Sequence, residues 1–260
     1  REFIRGELAA ARSPEEIMER ASHVLAAISH GLGIVVSPPL SRTVLQHIKF
    51  LLLPDQRVLV VLVSEGGLTR DKIFRPGRML TQAELDNTAD YLNRRYSGWT
   101  LADIRSHLQG IIARERERYD QLVNNALLLC DPKILGDDPK QQVYVEGAAQ
   151  IATAPEFADQ SQLRDLLAAI EEKSQLVALL TSCIEWPEPV QVQIGVKEIS
   201  IAGENLSLIS APFACSDSAN AAQGSLGVLG PMRMEYERAI TAVAYVARLF
   251  TEQMKGAGDH

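Results

Sequence analysis

The sequence predicts an α+β protein: an antiparallel sheet domain with flanking helices, split by a mainly helical inserted segment. Three observations predict it. Short β-branched runs crowd residues 33–74, long helical patterns fill residues 81–180, and strand patterns return from Val190 onward before a final amphipathic helix. With strands at both ends of the helical stretch, a single sheet assembled from both ends accounts for the order. The sheet domain is expected at residues 13–77 and 161–256 and the insert at 78–160. Pro76-Gly77 and the Ala154–Asp159 stretch read as the joints.

Ser13-Pro14-Glu15-Glu16 opens a helix, with Ser as N-cap, Pro at the first helical position and two acids facing the positive end of the dipole. The helix runs through Ile17, Ala21, Val24 and Ile28, and Gly31 is expected to end it. Gly33 to Ser37 is a short β-branched strand closed by Pro38-Pro39. His47–Leu53 and Arg57–Ser64 are strand-like runs separated by Pro54-Asp55-Gln56, a hairpin signal, and Leu68–Phe74 adds a third strand. Thr81-Gln-Ala-Glu84 has the form of a capping box, opening a helix to about Arg95. Leu101–Leu129 carries a long helical pattern through Ile104, Leu108, Ile111, Tyr119 and Leu122. The alternating charges Arg114 to Arg118 in its middle mark a solvated face. A strand at Gln142–Glu146 and a helix at Ser161–Leu180 follow. Strands at Val190–Ile194 and Leu206–Ser210 come after Pro187-Glu-Pro189.

The C-terminal stretch has the most specific grammar. Ser225–Leu229 is a short apolar run with Gly on both sides, and Gly230-Pro231 breaks it. From Tyr236 the apolar positions Tyr236, Ile240, Val243, Ala247, Phe250 and Met254 alternate steps of four and three, one face of an amphipathic helix. Gly224, Gly227 and Gly230 do not form a phosphate loop. The spacing is G-x-x-G-x-x-G without the Lys-Ser/Thr of a P-loop, and Glu235 and Glu237 at the helix start repel phosphate. Small residues that admit a close neighbour explain these glycines.

Composition narrows the function classes. The 260 residues carry a net charge of -7, with no strongly basic segment, so this chain alone is a poor ligand for DNA. No apolar run reaches the ~18 residues that a membrane-spanning helix needs. The first residues, Arg1 to Glu7, carry acids and no apolar core and do not read as a signal peptide. With no initiator Met, the chain is expected to begin inside a longer protein. Cys130, Cys183 and Cys215 are odd in number and far apart, which suits a reducing cytoplasm and neither a disulfide framework nor a zinc site. His23 and His30 share a helix without acidic or thiol ligands at matched spacing. No G-x-S-x-G elbow is present, and nothing near Cys215 would lower its pKa. No catalytic residue, cofactor site or metal site is assigned, and the chain does not read as an enzyme.

Gly227-Val-Leu-Gly-Pro-Met-Arg-Met-Glu-Tyr236 closely resembles the signature near the C-terminus of the heat-inducible transcription repressor (HrcA) family. Further segments in the right order are similar to that family. They are Leu45 to Phe50 with Arg57 to Val63, Leu80 to Leu85 with Tyr91-Leu-Asn93, and Leu206 to Phe213. Gly227, Gly230, Pro231, Arg233, Met234, Glu235 and Tyr236 carry the signature. Their expected role is structural: Arg233 bonding exposed carbonyls and Tyr236 packing on the sheet, with a partner-contact surface as the competing reading.

The resemblance implies a GAF-like domain interrupted by an inserted dimerising domain. It implies a homodimeric, cytoplasmic repressor of chaperone operons that binds an inverted-repeat (CIRCE-type) operator, held active by a GroEL-type chaperonin. The operator is read in this family by an N-terminal winged-helix domain, and no such segment precedes Ser13. Where the family has an Ile-Gly-x-Glu-Asn motif, Ile194-Gly195 is followed by Val196-Lys197-Glu198. Ile104, Leu108, Ile111, Tyr119 and Leu122 are the expected dimer contact. A GAF-like module that senses a small molecule is the alternative.

Overall fold

The computed structural model describes residues 2–114, 121–131, 143–153, 155, 160–182, 184, 188–196, 205–215 and 222–257. They form two compact units. The first holds the described residues up to Pro38, those from Val143 to Cys215 and those from Gln223 onward. The second holds those from Pro39 to Asp131, with Ala222.

The first unit is built on a five-stranded antiparallel sheet in the order β5-β1-β8-β7-β6. Its strands are β1 (Leu32–Val36), β5 (Val143–Glu146), β6 (Gln191–Ile194), β7 (Leu206–Ala214) and β8 (Gln223–Pro231). Helices cover both faces. On one lie α2 (Pro14–Ser29), with α1 (Glu2–Ala9) beside it, and α9 (Tyr236–Ala257). Here the ring centroids of Phe213 and Phe250 are 4.2 Å apart. On the other, Leu32, Ile34, Leu208 and Leu229 pack with Leu166 of α7 (Gln160–Glu171) and Leu176 and Leu180 of α8 (Lys173–Ser182), beside Ile151 of the short α6 (Ala148–Ala152). Burial on both faces is why β1 reads as a continuous apolar run, and why β7 and β8 are buried almost without alternation. Gly33 permits the close approach of α2, since a Cβ there would stand 2.0 Å from the Ser22 carbonyl oxygen.

The N-terminus of α2 follows its sequence signal: the Ser13 hydroxyl accepts from Glu16 N at 3.2 Å, with Pro14 at the first helical position. Its end does not. His30, one residue before Gly31, takes the left-handed conformation (φ 53°, ψ 27°), while Gly31 lies against the Leu229 carbonyl.

The second unit has its own three-stranded antiparallel sheet, β2 (Leu45–Leu52), β3 (Val58–Ser64) and β4 (Thr69–Phe74). Its inner face packs on α3 (Gln82–Tyr96), α4 (Leu101–Arg114) and α5 (Gln121–Leu129), around Phe50, Val60, Leu62, Leu92 and Tyr96. The capping box of α3 forms as read. Glu84 N donates to the Thr81 hydroxyl at 3.3 Å, and Thr81 N donates to the Glu84 carboxylate at 2.8 Å.

Three expectations are corrected. The strands of residues 45–74 belong to a separate sheet in the unit with the helices, so the division at 77 and 160 is replaced by one near residues 38 and 138. Apolar patterning says which residues are buried, not which strand is the partner, and short turns made β2, β3 and β4 each other's nearest partners. The segment between the parts of the first unit is therefore a sheet with helices rather than mainly helical. Second, the long 101–129 pattern is two helices, α4 and α5, packed on one another, a contact one straight helix cannot make. Third, the 161–180 pattern is also two helices, breaking at Glu172. The 194–196 end of the altered Ile-Gly motif is described, with Gly195 at φ 77°. Residues 197–204 of that stretch lie outside the described residues.

Candidate functional site

The signature stretch forms the end of β8, a tight turn and the start of α9. Gly224, Gly227 and Gly230 all lie within β8, not in a loop. Gly227 faces the Ile209 carbonyl, where a Cβ would come within 2.7 Å, and at Gly230 a Cβ would meet the Met234 methyl at 2.8 Å. Gly230 thus lets Met234 fold back over the strand. Pro231 ends the strand opposite Leu206, and its carbonyl accepts from Met234 N at 2.9 Å. Met232 N donates to the Asn205 carbonyl at 3.1 Å, tying the turn to the start of β7.

Tyr236 and Arg233 divide in role. The Tyr236 hydroxyl donates to the Met232 carbonyl at 2.8 Å and sits 2.8 Å from the Ser207 hydroxyl, so one phenol clamps turn, helix and strand together. Arg233 is exposed on the turn and makes no hydrogen bond or ion pair with another described residue, contrary to its expected bonding to carbonyls. Glu235 is also exposed and pairs with Arg238 at 3.6 Å. Beside the turn, Phe3, Ile28, Tyr236, Thr241 and Tyr245 line an open groove, and Phe3 is 54% exposed. The signature therefore has an inner half that builds the turn and an outer half turned to solvent.

The expected dimer contact fares differently. Ile104 and Leu108 are fully buried in the core of their own unit, and Ile111 packs against that core. The α4 stripe is spent inside its own unit, so these side chains are not a surface. Leu122 is half-buried and lines an open groove with Asp90, Tyr91, Arg94, Arg95 and Asn125. Tyr119 lies outside the described residues. The signal was sound about burial and silent about what does the burying.

A feature not foreseen is the treatment of the β2 edge. Asn93 of α3 accepts from Ile48 N at 2.8 Å and donates to the Ile48 carbonyl at 2.9 Å. Gln82 accepts from Leu52 N at 2.8 Å and donates to the Phe50 carbonyl at 3.0 Å. Two side-chain amides imitate the ladder of a fourth strand, and α3 seals that edge. The sequence signal was Gln82 and Asn93 on one amphipathic helix following a strand.

Among ionisable groups, Tyr96 is fully buried, with its hydroxyl 3.1 Å from His107 Nδ1 and 3.3 Å from the Tyr91 hydroxyl. Burial, then the Tyr91 hydroxyl, pushes its phenol up to about 12. Trp99 stacks at the edge of the same cluster. Cys130 and Cys215 are buried, and burial pushes the Cys130 thiol up to about 12. Such thiols are poor nucleophiles. Among the described residues no group of three or more His, Cys, Asp or Glu is placed to hold a metal ion, and no helix is long and apolar enough to cross a membrane.

Comparison with known proteins agrees with the signature. The family model described as the HrcA protein C-terminal domain matches residues 15–240. The heat-inducible transcription repressor HrcA of Geobacter sulfurreducens is 34% identical over 257 residues, covering 98% of this chain and 73% of that protein. The repressor of the same name from Syntrophobacter fumaroxidans is 30% identical over 259 residues, covering 100% and 73%. A solved structure, titled as the crystal structure of a hypothetical protein, shares the fold. Its TM-score is 0.53 at 15% identity, covering 96% of this chain and 72% of that one. With a match of this extent, one that takes in the strand, turn and helix start that Tyr236 clamps, the chain belongs to the heat-inducible transcription repressor HrcA family.

Proposed function

We propose that this chain is the dimerising and regulatory body of a heat-shock transcriptional repressor. In this reading it acts as a homodimer on an inverted-repeat operator of CIRCE type and turns down chaperone operons of the groE and dnaK kind. The observation that carries the reading is the family match along residues 15–240, with the signature folded as one clamped turn.

Two physical features support it. A net charge of -7 leaves no electrostatic basis for these residues to hold DNA unaided, so operator reading falls to a winged-helix domain outside the matched span. An inverted repeat presents two half-sites related by a two-fold axis, and a two-fold protein sets the spacing between its two recognition helices. This body supplies that spacing. The first unit is its GAF-like part, the second its dimerising part, and a GroEL-type chaperonin is the modulating partner. The exposed Arg233 is a contact for such a partner.

Operator binding by this chain alone, and by the same chain fused behind a winged-helix domain of the family, tests the proposal. Binding of the inverted repeat by the fusion only is the expected result. If neither protein binds it, with chaperonin present, the reading fails and ligand sensing by the GAF-like part takes its place.

A further inference from the structure

The α4 helix packs unevenly. Leu101, Ile104 and Leu108 fill the core of the second unit. Ala102 and Ser106, one turn apart on the adjoining flank, are too small to fill the space beside them. That space is a pocket of about 190 Å³. Leu40, in the short 3-10 helix Leu40–Arg42, closes it on one side. Leu101 of α4 and Cys130, the residue after α5, close it on others, and all three side chains are buried. Protein interiors leave few voids larger than a water molecule. An apolar cavity of about 150 Å³ stays dry and takes up benzene. A pocket of this size and lining therefore suits a single ring or a short alkyl chain.

Among the described lining residues Arg105 alone is charged. It follows Leu101 by one helical turn and is half-buried at the pocket edge. Its guanidinium approaches the Asp131 carboxylate to 3.6 Å, beyond hydrogen-bond reach, and makes no hydrogen bond with another described residue. A guanidinium presents its N–H donors in a planar fork that matches a carboxylate through two parallel bonds. Burial keeps the Cys130 thiol protonated, so the wall it forms is neutral and does not repel an anion.

We infer that this pocket binds a small monocarboxylate with an apolar body. The hydrocarbon lies against Leu40, Leu101 and Cys130, and the carboxylate takes the open N–H edge of Arg105 in competition with Asp131. The site lies wholly within the second unit. It goes beyond the repressor reading, on which it does not depend, and gives this unit a small-molecule input. A ligand held between the 3-10 helix, α4 and the end of α5 favours the arrangement in which these elements are packed together. For a ligand of about ten non-hydrogen atoms, a Kd on the order of 1 mM is expected.

Fluorine NMR titration of the full chain with 4-fluorobenzoate and with neutral 4-fluorobenzyl alcohol tests the site. The same titrations are run on Arg105→Gln, on Ala102→Leu and on Arg238→Gln, a control at an exposed arginine of the other unit. Both probes should saturate at a single site on the wild-type chain. Arg105→Gln should weaken the benzoate about tenfold and change the alcohol less than about twofold, because only the carboxylate uses the guanidinium. Ala102→Leu keeps a strong helix former on α4 while filling the hollow, and should abolish binding of both. Arg238→Gln should alter neither, and circular dichroism checks that each variant is folded. Uptake that stays linear to about ten times the expected Kd overturns the site. Benzoate binding unchanged by Arg105→Gln, or weakened equally by Arg238→Gln, overturns the carboxylate assignment. Binding of either probe unchanged by Ala102→Leu places it outside this pocket and overturns the inference.

Discussion

The two sheets of this molecule are made of similar residues and live in different surroundings. In the five-stranded sheet, β1 and the Leu226–Leu229 part of β8 are apolar, and helices of the same unit cover both faces. In the three-stranded sheet, Val58–Val63 of β3 is equally apolar, and the described helices of its unit pack on its Val58, Val60 and Leu62 face. The same composition is thus a core in one place and a surface in the other. An apolar strand reports that both its faces need covering. It does not report which molecule supplies the cover.

The comparison predicts unequal costs for like substitutions. In β3, Leu62→Ala removes a side chain from the closed core and should cost about 3 kcal/mol. Leu59→Ala, three residues away on the outward face, should cost less than about 1 kcal/mol in the monomer. In β1, Ile34 and Val35 point to opposite faces and are both fully buried, so Ala at either should cost more than about 1 kcal/mol. Urea unfolding at concentrations below dimerisation measures all four. A costly Leu59→Ala in the monomer would break the contrast.

The edges of the small sheet come next. Asn93→Ala leaves the Ile48 N–H and carbonyl without their side-chain partner and should cost about 2 kcal/mol. Amide hydrogen exchange at Ile48 should quicken before exchange at Val60 in the centre. Equal quickening at both would mean that Asn93 holds the whole unit rather than its edge.

In the large sheet the corresponding closure is the clamp at the end of β8. Tyr236→Phe removes bonds to Met232 and Ser207 and should cost about 1 kcal/mol. Arg233→Ala, at an exposed position, should shift stability by less than about 0.5 kcal/mol. If Arg233→Ala nevertheless abolishes repression, the outer half of the signature is a contact surface. Loss of stability equal to that of Tyr236→Phe would return Arg233 to a structural role.

The smallest effect concerns the start of α3, the helix that guards the small sheet. The Thr81 backbone N–H, then its hydroxyl, hold the Glu84 carboxyl below the ordinary carboxylate range. A lowered folded-state pKa gives stability that is fully present above the unfolded value and lost as pH falls through the folded one. The stability difference between wild type and Glu84→Gln should therefore be constant near neutrality and shrink on acidification. A difference that grows toward low pH would contradict the capping geometry.

Much of this fold was legible because local signals have local causes. Ser13-Pro14 and Thr81 to Glu84 name their helix starts, since a cap is a contact between residues three apart. The strands at 45–52, 58–64 and 69–74 were equally plain. Their membership of a separate sheet was not, because partner choice depends on residues far along the chain. The break at Glu172 carries no Gly or Pro to announce it. In the signature, motif and turn were readable, while the Ser207 partner of Tyr236 lies 29 residues away. Ile104 and Leu108 show the limit most clearly. Their helical spacing identified a buried stripe, and only the packing of α4 against its own unit decides the burying partner.

The amides of Gln82 and Asn93 carry a consequence for stoichiometry. Growth of a sheet by strand addition is a polymerisation, and a chain-growing unit needs two reactive ends. With the β2 edge already satisfied by α3, the small sheet has at most one edge left, at β4. A monofunctional unit can pair and then must stop. Two carboxamides therefore act as chain terminators, and β3 can be apolar on both its faces without the small sheet seeding a fibre.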